Sequence, residues 1–206
     1  QTSREVIFEG GRDISLELEN AKNQFYVYGP KGVDEITSSS AYAVEQAFEL
    51  SGSVVDAEGN YVWKKGTVYP RNQIMAITGT KRDGENSSLA VCLDTILELE
   101  GISRKTQPLL DAGEDALSIL KNSLRKETVL DIRGCPVDTV LYYVDQDIPV
   151  LALMDNGDVY LIIGFNEYNI VLMDPKLGTV YKKGMNDSRV MFEENGNQFI
   201  TYMRYD

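Results

Sequence analysis

The sequence predicts an α+β protein in which a central helix packs on an antiparallel sheet, preceded by a small α/β module. Three observations carry that expectation. Helix-like segments fill the middle of the chain and strand-like runs its end. The segment from Ser88 to Glu100 is apolar on all but a narrow face, which suits a helix enclosed by other elements. The strand runs beyond Pro149 are joined by tight turns, and such connections make neighbouring strands antiparallel. At 206 residues, 43% hydrophobic and 25% charged, the chain can bury a sizeable core.

The elements follow in order. Val6-Ile7-Phe8 and Phe25 to Tyr28 are β-rich, the second run ended by Gly29-Pro30. A helix begins with Ser39 or Ser40 as N-cap, because Ala43, Val44, Ala47 and Phe48 recur at helical spacing, and Gly52 stops it. Ser53 to Asp56 and Tyr61 to Trp63 flank a turn and form a hairpin. Gly66 and Pro70 punctuate the next stretch, so the small module is placed at residues 1–70 and the main domain at 80–206.

In the main domain, Leu89, Val91, Cys92, Leu93, Ile96, Leu97 and Leu99 give the Ser88 helix its apolar surface, and Gly101 ends it. A second helix spans about Glu114 to Leu124. A third starts at Cys135-Pro136, with proline at the first helical position, and runs to about Val144. Strands are expected at Val150 to Met154, Val159 to Ile163 and Asn169 to Met173, with turns at Asn156-Gly157 and Asn166-Glu167. A final strand pair, near Val180-Tyr181 and Phe199 to Met203, is expected to close the sheet.

Composition excludes several functions. Thirty-two acidic against 20 basic residues give a net charge of −12, which argues against nucleic acid or an anionic membrane as partner. No apolar run is long enough to span a bilayer. Cys92 and Cys135 are too few for a disulfide framework and are read as thiols. The chain opens at Gln1, without a methionine or a secretory leader, which reads as a trimmed piece of a longer extracytoplasmic or cell-surface protein. No metal site or cofactor is indicated: there is no histidine, and Asp155-Asn156-Gly157-Asp158 lacks the spacing and closing glutamate of a calcium loop. Phosphate-binding glycine loops are absent too.

Residues 80–206 resemble the bacteriocin-processing (double-glycine leader peptidase) branch of the papain-like cysteine peptidases. In that family an Asn/Asp-Cys-Gly loop opens the central helix, and a glycine ends it thirteen positions after the cysteine. Counting back from Gly101 places Ser88, in Asn86-Ser87-Ser88, at the nucleophile position. The family histidine leads a strand that ends in Gly-aromatic. Asp158-Val159-Tyr160-Leu161-Ile162-Ile163-Gly164-Phe165 fits that frame, with Asp158 in the histidine position. Met173-Asp174-Pro175, followed by Gly178, matches the strand end whose aspartate orients the histidine. The oxyanion glutamine position falls at Arg82.

The resemblance therefore implies a papain-like fold from which nucleophile, base and oxyanion donor have gone. A helix N-terminus stabilises a thiolate, but a serine hydroxyl there stays protonated without a strong base. Each residue also has a plain reading: Ser88 (or Ser87) as N-cap, Asp158 as a turn aspartate, Asp174 as a turn aspartate before proline. Cys92, one turn beyond Ser88, reads as a buried core thiol. Cys135 sits at a helix entrance beside Arg133, where a lowered pKa is conceivable. The function expected is an inactive bacterial papain-like module that binds or scaffolds a peptide or protein, in a groove lined by Tyr160 and Tyr168. The alternatives are an active hydrolase using Ser88 or Cys135, and a structural module using neither groove nor chemistry.

Overall fold

The computed structural model describes residues 8–9, 12–13, 23–66, 68, 70 and 73–205. The chain divides into two compact units, Gln1–Lys65 and Gly66–Asp206.

In the first unit, β1 (Phe8–Glu9) pairs antiparallel with β2 (Arg12–Asp13). Val6 and Ile7 lie outside the described residues. The main sheet has four antiparallel strands in the order β4-β3-β5-β6: β3 Phe25–Gly29, β4 Gly32–Thr37, β5 Ser53–Val55 and β6 Tyr61–Lys64. The helix α1 (Ser40–Glu49) is capped by Ser39, whose Oγ accepts from the Tyr42 N–H at 3.2 Å. It turns Ala43, Val44 and Ala47 onto the sheet, where Phe48 meets Trp63 edge to face at 6.2 Å. Ser51, not Gly52, takes the left-handed backbone after this helix. Gly52 is needed for space: a Cβ there would lie 1.9 Å from the Tyr28 carbonyl oxygen. Strand β4 had no sequence signature, because Gly-Val-Asp-Glu-Ile-Thr is an exposed edge without apolar alternation.

In the second unit a six-stranded antiparallel sheet runs β11-β10-β9-β8-β12-β7. Its strands are β7 Thr128–Asp131, β8 Val150–Leu153, β9 Val159–Phe165, β10 Asn169–Asp174, β11 Thr179–Gly184 and β12 Gln198–Met203. Successive residues of β8, β9 and β10 are buried, so both faces of the sheet are covered. The helices are α2 Ser88–Leu99, α3 Gln107–Asp111, α4 Ala116–Ser123, α5 Val137–Asp145 and α6 Met185–Glu194. Both α2 and α5 pack on β9, and α6 packs on β10 and β11. This is the α+β arrangement of a central helix on an antiparallel sheet.

Two expectations need correction. The last two strands do not pair with each other: β11 is an edge beside β10, whereas β12 lies between β8 and β7. Helix α6, whose mixed sequence gives little apolar periodicity, carries the chain from one to the other. Pro136 is the N-cap of α5 rather than its first residue, with extended backbone at ψ 150°. Among the described residues no helix is long and apolar enough to cross a membrane.

Candidate functional site

The loop before α2 is built by Asp83. Its Oδ1 accepts the N–H groups of Asn86 at 2.7 Å and Glu85 at 2.9 Å, and those bonds hold its carboxyl below the usual range. Ser87 then caps the helix, its Oγ accepting from the Ala90 N–H at 3.1 Å. The Ser87 N–H itself donates to Gln107 Oε1 at 2.8 Å. Ser88 is thus the first helical residue and not the N-cap, and it is only 4% exposed. One turn on, the Cys92 thiol is fully buried. Burial pushes its pKa well up, and the Asp174 charge adds to that. The thiol stays protonated.

Asp174 ends β10 and is buried. Its Oδ1 accepts from the N–H groups of Lys176 at 2.8 Å and Leu177 at 3.3 Å, and its carbonyl from that of Gly178 at 2.8 Å. The turn closes through Gly178 at φ 72°, a conformation that favours glycine. Asp158 stands immediately before β9. Its N–H donates to Asn156 Oδ1 at 2.9 Å, and its carboxylate accepts from Asn156 Nδ2 at 2.9 Å and from Lys176 Nζ at 3.0 Å. The Lys176 bond comes first among the causes that hold the Asp158 carboxyl below its usual range, and Arg82 adds positive charge.

Lys176 therefore joins the two aspartates: its backbone binds Asp174 and its ammonium binds Asp158. The segment leading to α2 is fastened to the same turn. The Arg82 N–H donates to the Pro175 carbonyl at 2.8 Å, and a Cβ on Gly79 would lie 2.6 Å from the Gly178 carbonyl oxygen. Among the described residues no hydrogen bond or ion pair joins Ser88 to Asp158 or Asp174.

Two tyrosines complete the cluster. The Tyr160 phenol is pushed up to about 12 by burial, then by Tyr181, Asp158 and Asp174. Tyr181 is raised by burial and by Asp174. Tyr168, expected in this groove, belongs to the β9–β10 turn at the far end of the hairpin. The displaced groups, Cys92, Asp158, Tyr160 and Tyr181, all move away from neutrality, whereas a general base works best near the operating pH.

Cys135 is 1% exposed, and the guanidinium of the neighbouring Arg133 is bound by Asp131 at 2.8 and 2.5 Å, so its charge is already matched. Among the described residues no three potential metal-ligating His, Cys, Asp or Glu side chains converge.

Sequence reasoning missed Lys176, Tyr181 and Asp94. Asp94 had a readable signal, being the only charge inside the apolar run 88–97. A buried carboxylate needs partners, and it has them: its Oδ1 accepts from the Thr106 N–H at 2.9 Å and the Thr106 hydroxyl at 2.8 Å. Lys176 sits two places after Asp174 in Asp-Pro-Lys, but its reach to Asp158 depends on the strand register.

No protein-family model matches the sequence, and no curated protein matches it. A solved structure does match the fold: a crystal structure described as a "putative C39-like peptidase" from Bacillus anthracis. The TM-score is 0.55 at 12% identity, covering 67% of this chain and 99% of that one. The chain resembles a C39-like, papain-like peptidase, and the mixed α+β fold described above is the fold of that neighbour.

Proposed function

We propose that residues 80–206 are a catalytically inactive papain-like domain that binds or scaffolds a peptide or protein, in the region of Asp158, Asp174, Lys176 and Tyr160. The observation that carries this reading is the Asp158–Lys176 pair at the position where the resemblance puts an imidazole, in a chain with no histidine. An ion-paired carboxylate held below its usual pKa is a poor base for a hydroxyl or a thiol. The competing reading, a hydrolase acting through Ser88 or Cys135, has less support: both side chains are buried, at 4% and 1% exposure. Loss of a general base typically removes about 10²–10⁴-fold in rate.

The test joins turnover to labelling. The folded protein should cleave neither fluorogenic peptides nor esters, and Ser88→Ala should change nothing. Iodoacetamide should label Cys92 and Cys135 only after unfolding, and a fluorophosphonate should label Ser88 in neither state, because an unactivated hydroxyl does not react with it. Stoichiometric, saturable labelling of Ser88 or Cys135 in the folded protein would replace this reading with the hydrolase.

A further inference from the structure

A second candidate site lies at the opposite end of the β9–β10 hairpin, away from Asp158 and Asp174. There a cleft of about 550 Å³ opens between that turn, α5 and the start of α6. This is within the range of about 300–1,000 Å³ usual for ligand sites. Its floor is apolar: Leu141 of α5, Phe165 at the end of β9, and Met185, the first residue of α6. The Met185 N–H donates to the Tyr168 carbonyl at 2.7 Å, which fixes the turn against the helix. The Tyr168 side chain is nevertheless 71% exposed at the rim.

The rim carries two carboxylates, one of them, Asp187, in the first turn of α6. Glu167 and Asp187 are exposed, and among the described residues their carboxylates form no ion pair. Arg189, the cation among the described residues that line the cleft, is already committed. Its guanidinium donates to Asp138 at 3.0 and 2.6 Å and to Asn186 at 3.1 Å. An apolar floor under two exposed carboxylates and an open phenol selects for an apolar group flanked by cations. The net charge of −12 adds a long-range attraction for the same kind of ligand.

We propose that this cleft binds a short peptide segment in which an aliphatic or aromatic residue is flanked by lysine or arginine. The apolar side chain occupies the floor beside Leu141, Phe165 and Met185. The basic side chains reach Glu167 and Asp187, and one of them lies over the Tyr168 ring in a cation–π contact. The site is independent of the Asp158–Asp174 cluster and stands whether or not that cluster holds a peptide.

The experiment is fluorescence anisotropy with two labelled, end-capped peptides, Lys-Leu-Phe-Lys and Glu-Leu-Phe-Glu. The basic peptide should bind saturably and at least about fivefold more tightly, as expected for two surface ion pairs. The gap should close in the Glu167→Gln/Asp187→Asn variant and narrow at about 0.5 M salt, where the screening length is only a few ångströms. Tyr168→Ala should weaken the basic peptide, whereas Asp158→Asn with Lys176→Met should leave its affinity unchanged. Equal affinity for the two peptides, no saturable binding, or a gap that survives neutralising Glu167 and Asp187 would overturn the proposal. So would loss of binding in the Asp158/Lys176 variant, which would move the site to the other end of the hairpin.

Discussion

Replacing Asp94 by alanine should unfasten the helix that carries Ser88. Thr106 is fully buried, and both its N–H and its hydroxyl donate to Asp94 Oδ1. The hydroxyl also has the Ala90 carbonyl at 3.3 Å as a fallback, whereas the N–H has none. Leaving a buried donor without an acceptor costs about 1–3 kcal/mol, so Asp94→Ala should cost about 2–4 kcal/mol. The ion pair with Lys105, at 3.4 Å and with the lysine 74% exposed, adds at most about 1 kcal/mol. With a urea slope of about 2 kcal/mol/M, the midpoint should fall by roughly 1–2 M at constant slope. Asp94→Asn, which keeps an oxygen acceptor, should retain most of the lost stability. In a double-mutant cycle Thr106→Val should couple to Asp94→Ala by about 1 kcal/mol or more, because the hydroxyl's loss matters less once its acceptor has gone. Gln107, next to Thr106, accepts from the Ser87 N–H, so hydrogen exchange at Ser87 should speed up as well. A cost under about 0.5 kcal/mol, or strict additivity in the cycle, would refute this account of how α2 is held.

Two further outcomes follow from the same geometry. The carboxyls of Asp158 and Asp131 are held below their usual range, first by their bonds to Lys176 and Arg133 respectively. Their folded pKa values lie below the unfolded ones, so this stabilisation is complete above about pH 4–5 and is lost as pH falls through the folded values. Thermal melts should be level from neutral pH to about pH 5 and fall below about pH 4, less steeply in an Asp158→Asn/Asp131→Asn variant; equal slopes would refute the assignment. Gly79→Ala should destabilise by about 1–3 kcal/mol in urea titrations, because its Cβ would meet Gly178 backbone at 2.6 Å, whereas Gly84→Ala, with nothing within 4 Å, should stay near wild type.

What could be read in the sequence was what local pattern determines. The β8, β9 and β10 runs were legible because continuous apolar stretches are broken by Asn156-Gly157 and Asn166-Glu167. The α2 helix was legible because its apolar surface is nearly all-round. Its start was ambiguous by one residue, since Ser87 and Ser88 are chemically alike and only the bond to the Ala90 N–H distinguishes them. Strands β4 and β7, the five-residue α3 and the helix α6 were missed. The first is an exposed edge, β7 and α3 are too short to show a period, and α6 has a mixed sequence with little apolar periodicity. The partner of β12 was misassigned because strand order depends on contacts distant in sequence. At the candidate site, the resemblance singled out Asp158 and Asp174, whereas Lys176, which binds both, is a consequence of register and turn.

Asp174 has a structural duty that does not depend on catalysis. Its carboxylate and its carbonyl together accept three backbone N–H groups of the turn that follows, from Lys176, Leu177 and Gly178. That turn is also where the segment before α2 is fastened, through Arg82 to Pro175 and the close approach of Gly79 to Gly178. An aspartate with this duty holds the entry of the central helix against the sheet. Asp158 has no comparable hold on the backbone of other elements: its partners are its own turn and the Lys176 ammonium. The two positions are thus under different physical constraints. One is fixed by the architecture, and the other is free to carry whatever charge its lysine partner tolerates.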